Sequence, residues 1–129
     1  MINFNKKTTA GVIASNIDVS VTSGRDSGKD ARRFLRFSFS ERVCMMVFGS
    51  KPYGVAGQDP ENPNRIYFQA EDSIDGYKIS NANEAKRKYC TFGRCFVEDE
   101  YASFIGFYNI KYDKVNGAFY IDRAEKKTN

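Results

Sequence analysis

The chain carries one pattern twice, and that constrains its fold more than any other feature. From Leu35 to Gly49 it reads L-R-F-S-F-S-E-R-V-C-M-M-V-F-G, and from Phe92 to Gly106 it reads F-G-R-C-F-V-E-D-E-Y-A-S-F-I-G. At a single offset Phe39 matches Phe96, Glu41 matches Glu98, Val47 matches Phe104, Phe48 matches Ile105 and Gly49 matches Gly106. A further stretch follows each copy. Ile66 to Ile79 lies against Phe107 to Tyr120, with Tyr67/Tyr108, Asp72/Asp113, Ile74/Val115 and Gly76/Gly117 in register. Self-similarity at a fixed spacing marks a duplicated supersecondary unit. The expected architecture is α+β and β-rich: two tandem strand-helix-hairpin repeats forming one pseudo-two-fold, small barrel-like or sheet domain.

The local chemistry of each unit agrees. Leu35, Phe37 and Phe39 alternate with Arg36 and Ser38, which is the period of a half-buried strand. Ser40 is suited to cap a helix, and Glu41 suits the positive end of its dipole. Phe39, Val43, Met46 and Val47 then share one helical stripe. The second copy repeats the stripe with Val97, Tyr101, Phe104 and Ile105 around the acids Glu98, Asp99 and Glu100. Gly49 and Gly106 stand where a helix commonly ends in a left-handed residue. Asp75-Gly76 and Asn116-Gly117 spell hairpin turns. The arms are Arg65 to Ala70 with Tyr77 to Ser80, and Phe107 to Tyr112 with Ala118 to Asp122.

These spans place repeat one at 33–80 and repeat two at 88–122, inside a single domain at 31–123. Residues 50–64 occur only once and hold Pro52, Gly54, Gly57, Pro60 and Pro63, so they read as a loop insertion. Ile17 to Thr22 alternates as a strand and is followed by Ser-Gly loop chemistry, which makes 1–30 an N-terminal strand and linker. Residues 124–129 form a charged tail expected to fray.

At 129 residues, 41% hydrophobic and 15% aromatic, the chain can bury a core without metal or disulfides. Its aromatics are Phe and Tyr with no Trp, which favours strands. The net charge is only +4, so placement matters more than total. Arg32, Arg33, Arg36 and Arg42 open the first repeat, and Lys86, Arg87, Lys88 and Arg94 open the second. Cys44, Cys90 and Cys95 make no even framework; with no leader segment in view they read as buried or half-buried thiols of a cytoplasmic protein. The longest apolar run, Val43 to Phe48, is far short of the roughly 20 residues that cross a bilayer, so no membrane partner is expected.

The order strand, short helix ending at Gly, then hairpin with an acidic turn resembles the swapped-hairpin AbrB-like DNA-binding unit. Gly93-Arg94-Cys95-Phe96 through Gly106, then Phe107 to Ile121, follows that layout, and Leu35 to Gly49 with Ile66 to Ile79 follows it more loosely. Two copies in one chain are similar to the MraZ-like members of that family, in which a tandem pair supplies the pseudo-two-fold. Departures are visible as well. Ser40 and Val97 occupy the places where the family carries a proline before its helix, and the usual Gly-Asp before the hairpin is missing. The resemblance implies a small DNA-binding transcriptional regulator that contacts nucleic acid, DNA in preference to RNA, through Arg36 and Arg94 with Arg33 and Lys88 beside them.

The residues themselves allow the same surface. Arg32, Arg33, Arg36, Arg87, Lys88 and Arg94 could neutralise phosphates about a pseudo-dyad, and a solvated strand face has the same pattern. Tyr67, Tyr77, Tyr108, Tyr112 and Tyr120 could stack on single-stranded bases, although tyrosines on hairpins more often pack with the hydroxyl in water. No enzyme is expected and no catalytic residue is assigned. The absence of His removes the commonest neutral-pH base, Asp72 with Asp75 flanks an exposed turn, and Glu98 to Glu100 suits a helix start. No cofactor is expected, because no phosphate-binding glycine loop is present, and no metal, because with no His a zinc site at Cys90 and Cys95 would need Cys44 and a carboxylate as its remaining ligands, whereas structural zinc normally takes four Cys or His at tight spacing. The alternative is an accessory or inhibitory interaction module, of the kind mobile elements and phages encode, which would use loop 50–64 with Tyr53 and Val55 or a sheet edge. A tandem pair could close on itself or exchange hairpins with a second copy as a homodimer.

Overall fold

The computed structural model describes residues 17–25, 33–72, 76–80 and 89–127. The elements run β1 (Val19–Arg25), β2 (Arg33–Ser40), α1 (Glu41–Val47), β3 (Tyr53–Gln58), β4 (Arg65–Glu71), β5 (Tyr77–Lys78), β6 (Tyr89–Val97), α2 (Glu98–Tyr101), β7 (Gly106–Tyr108), β8 (Lys111–Asp113) and β9 (Ala118–Asp122). Short 3-10 turns occupy Ala102–Phe104 and Arg123–Glu125. One antiparallel sheet has the order β6-β2-β1-β7 and a second has the order β5-β3-β4-β9-β8. The fold is therefore α+β and β-rich. Among the described residues no helix is long and apolar enough to cross a membrane.

Alternation builds the first sheet. Val19 and Val21 of β1 face Phe39 and Phe37 of β2, and Phe37 faces Phe92 of β6 on the other side. Leu35, Phe37, Phe39, Val19 and Val21 are all buried. Where β2 ends, the Ser40 hydroxyl accepts the Val43 N–H at 3.4 Å and starts α1 as its composition predicts. The Phe48 N–H closes the helix on the Cys44 carbonyl, and Gly49 follows at φ +58°.

The second sheet packs on this apolar face. Phe68 of β4 meets Phe37 and Phe39 edge-on, each at 5.1 Å, and Phe92 stacks on Phe39 at 5.8 Å. Edge-to-face and offset-stacked geometries are the favourable ones for aromatic pairs. The sheets are stitched along one flank, where the Ser80 N–H donates to the Thr91 carbonyl at 3.1 Å and the Thr91 N–H donates to the Ser80 hydroxyl at 2.9 Å. On the other flank the chain passes straight from β7 in one sheet to β8 in the other.

Several expectations are corrected. Residues 50–64 are not a free loop, because 53–58 form β3, which is inserted between β4 and β5. The Asp75-Gly76 hairpin is consequently absent: β4 and β5 each pair with β3 and not with one another, and Asp75 lies outside the described residues. The prolines that suggested a loop flank β3 and leave its ladder intact. β1 is no N-terminal appendage, since it sits inside the first sheet between β2 and β7, and the expected boundary at residue 31 lies outside the described residues.

The second hairpin does form, with Gly117 at φ +63° between β8 and β9, but Phe107 and Tyr108 leave it to join β7. The second helix shrinks to one turn, because Val97 has no side-chain oxygen to cap it. The tail is tied down as far as Lys127, whose N–H donates to the Phe107 carbonyl at 2.8 Å. Finally, Cys44 and Cys90 are not free thiols. They are joined as a disulfide with Cα atoms 5.9 Å apart, because the β2–β6 register sets Cys90 opposite Phe39 and α1 folds Cys44 back beside it.

Candidate nucleic-acid interface

β2 carries Arg36 on the face that points away from the core. Its ladder neighbours are small: Thr22 on β1 and Gly93 on β6. The Arg36 side chain leans over Gly24, where an added Cβ would lie 3.3 Å from both its Cβ and its Nε. A side chain at position 24 would therefore crowd the guanidinium stem. Arg33 opens β2 opposite Arg25 and is exposed at the rim of the sheet.

A bulge on β6 sets the next position. The pairing steps from Arg36 opposite Gly93 to Phe34 opposite Val97, which leaves Arg94, Cys95 and Phe96 to span Leu35. The backbone of Arg94 thus lies one strand away from that of Arg36. The two arginines expected on either side of a pseudo-dyad are neighbours on adjacent strands. Arg32, Arg87 and Lys88 lie outside the described residues, and the chain enters β6 at Tyr89 opposite Ser40, the end of the sheet away from Arg33. The acids of α2 follow Val97, so they border the basic rim on one side.

The remaining described arginine side chains are committed to partners. Arg42 donates to the Asp18 carboxylate at 2.6 Å. Arg65 reaches Asp122 at 3.4 Å, donates to the Tyr67 hydroxyl at 3.3 Å and lies over the Tyr120 ring at 4.3 Å. Arg123 donates to the Asn64 side-chain oxygen from two nitrogens, at 3.1 and 2.8 Å, and to the Ser103 hydroxyl at 2.6 Å. Among the described residues Arg33 and Arg36 are in no such ion pair. Asp18 escapes a reading of the sequence altogether. It is buried, and besides Arg42 its carboxylate accepts the Ile110 N–H at 2.9 Å, so one acid links β1, α1 and the β7–β8 connection. Nothing in the I-D-V-S-V-T run distinguishes it from an outward-facing strand position.

Of the five tyrosines, Tyr77 and Tyr112 are exposed, while Tyr108, Tyr67 and Tyr120 are committed to packing and hydrogen bonds. Tyr108 is buried and donates its hydroxyl to the Phe104 carbonyl at 2.6 Å, and burial pushes that hydroxyl up to about 12. Tyr67 and Tyr120 pack against each other at 5.2 Å beneath Arg65, and Asp113 and Asp122 border them. The Tyr67 hydroxyl donates to Asp113 at 2.7 Å, and the Asn116 amide donates at 2.8 Å. These bonds, the Tyr67 bond foremost, hold the Asp113 carboxyl down to about 2 from an ordinary 3.8. A lowered carboxyl supports the fold above its ordinary value and withdraws that support as pH falls through the lowered one. The β8–β9 turn should therefore loosen between pH 3.8 and about 2. Amide NMR of Val115 and Asn116 checks this, since resonances that stay fixed across that window would contradict it.

Tyr53 and Val55 lie half-buried on β3, paired with Glu71 and Gln69, and do not project from a loop. Comparison of the chain with protein-family models, with curated proteins and with solved structures returns no match.

Proposed function

We propose that this is a small DNA-binding protein of regulatory type, organised as an AbrB/MraZ-like tandem of strand-helix units. Its phosphate contacts run across the β2–β6 strand pair through Arg36 and Arg94, flanked by Arg33, with Arg32, Arg87 and Lys88 in support. The observation that carries the reading is the contrast between arginines. Arg42 and Arg65 are paired with carboxylates and Arg123 is hydrogen-bonded to Asn64 and Ser103, whereas among the described residues Arg33 and Arg36 have no ion-pair partner and stand on one strand, Arg36 beside Gly93 and Thr22. Unpaired guanidinium groups on a flat, small-residue surface can meet phosphate oxygens without first breaking an internal bond. The tandem reading draws support from the way β2 leads into α1 as β6 leads into α2, with the two strands side by side.

Arg36→Glu combined with Arg94→Glu should abolish binding to duplex DNA at low salt while leaving the far-UV circular dichroism unchanged. For the unaltered chain, log K should fall with log salt by about 0.9 per phosphate neutralised, and the neutral Arg36→Gln, Arg94→Gln pair should lower that slope by about two. Binding that ignores salt, or that survives charge reversal, would end the proposal.

A further inference from the structure

We propose that the Cys44–Cys90 disulfide is a redox latch on α1: a dithiol opens it and releases α1 from the first sheet while both sheets stay folded, and a small disulfide closes it again. The placement of the bond motivates this. Cys90 is already held by the β2–β6 ladder opposite Phe39, so the sheet keeps that strand in place without the cross-link. α1 has no such redundancy. It is seven residues long, too short to persist unaided. Its attachments beneath are Val43 and Cys44, with Phe48 directly after it, while Met45 and Met46 face outward. Val47 packs partly against the core, and the Arg42–Asp18 pair, whose arginine side chain is 67% exposed, adds a polar tether.

Aromatic contacts between strands join the two sheets independently of the helix. Phe37 and Phe39 against Phe68, at 5.1 Å each, and Phe92 against Phe68, at 6.2 Å, involve strand residues alone. Opening the bond therefore removes the covalent hold on α1 and leaves the aromatic core assembled. Both cysteines are fully buried, so a reagent reaches them when α1 lifts, an event local to a few residues. In the exchange a dithiol thiolate attacks one sulfur to give a mixed disulfide and a Cys thiolate. The second thiol of the reagent then displaces the other cysteine and closes the reagent's own ring. Two electrons and two protons pass from the dithiol to Cys44 and Cys90, and oxidised glutathione supplies the reverse reaction.

The full chain with Cys95→Ser, purified without reductant, tests the latch. That substitution removes the remaining thiol, whose half-buried sulfur is pushed up to about 12 by burial and would otherwise complicate the count. Dithiothreitol under native conditions, followed by iodoacetamide and mass analysis, should add two alkyl groups, at Cys44 and Cys90. The β-sheet circular dichroism should persist, and hydrogen-exchange protection over 41–48 should fall by about tenfold or more while that of Leu35 to Phe39 holds. A Cys44→Ala, Cys90→Ala chain should show the same exchange pattern with or without dithiol, and oxidised glutathione should restore protection only to the chain that keeps both cysteines. Two alkyl groups added before any dithiol would show that the bond is not formed. Alkylation that needs global denaturation would make the bond a fixed staple. Loss of the sheet signal on reduction, or failure of the double-alanine chain to fold, would overturn the latch equally.

Discussion

Phe37→Ala should lower the unfolding free energy by about 4 kcal/mol, a fall of roughly 15 °C in melting temperature for a domain of this size. Phe37 is fully buried at the middle of β2, with β1 and β6 on either side. Its ring meets Phe68 across the sandwich at 5.1 Å, Phe92 at 5.7 Å and Phe96 at 6.0 Å. Alanine would remove the transfer free energy of the ring and leave a cavity walled by three other rings held in two sheets. Such walls collapse poorly, so the loss belongs at the upper part of the range seen for core aromatics. Urea unfolding should show a lower midpoint with an unchanged slope. A loss below about 1.5 kcal/mol would mean that the two sheets are not packed as described, because only a mobile core absorbs so large a deletion cheaply.

Gly54→Val should cost about 3 kcal/mol, through crowding and not through loss. Gly54 is buried on β3 beneath the Phe48 ring, and a Cβ there would stand 2.9 Å from Phe48 Cε1 and 3.1 Å from Ile79 Cδ1. Neither neighbour can step aside easily, since Phe48 is itself wedged against Phe39 at 5.0 Å and Phe92 at 5.6 Å, and Ile79 is fully buried. Trimming the opposing ring should relieve the strain. A Gly54→Val, Phe48→Leu chain should be more stable than the sum of the two single changes predicts, by about 1 kcal/mol or more in a double-mutant cycle. Strict additivity would show that position 54 and the Phe48 ring do not touch.

How much of this was legible in the sequence depends on how local each cause is. Leu35, Phe37 and Phe39 alternate, Ser40 caps its own helix and Asn116-Gly117 turns its own hairpin, so β2, α1 and the β8–β9 turn could be read directly. β3 could not, because Gly54 and Gly57 look like strand breakers until Phe48 is seen to need the space above Gly54. The Cys44–Cys90 link was equally hidden, since it depends on Cys90 lying opposite Phe39, a register that three cysteines in a row of text do not reveal. For the basic surface, the sequence supplied the arginines but not their state. Arg36 and Arg65 look alike on paper, and only Asp122, Tyr67 and Tyr120 converging from distant strands mark the Arg65 guanidinium as occupied, whereas Arg36 has no ion-pair partner among the described residues.

The place of β1 between β2 and β7 also sets a timetable for the nascent chain. Val19 pairs with Phe39 early in synthesis, but its other edge waits for Tyr108. Until then β1 offers bare N–H and C=O groups along one side, and the Asp18 carboxylate waits for the Ile110 amide. Ladders that join chain ends so far apart close slowly, on a scale of milliseconds to seconds for β-rich domains. A half-made molecule therefore carries a sticky margin for as long as its last third is unmade, and crowding during expression should favour aggregation through that margin over any failure of the finished fold.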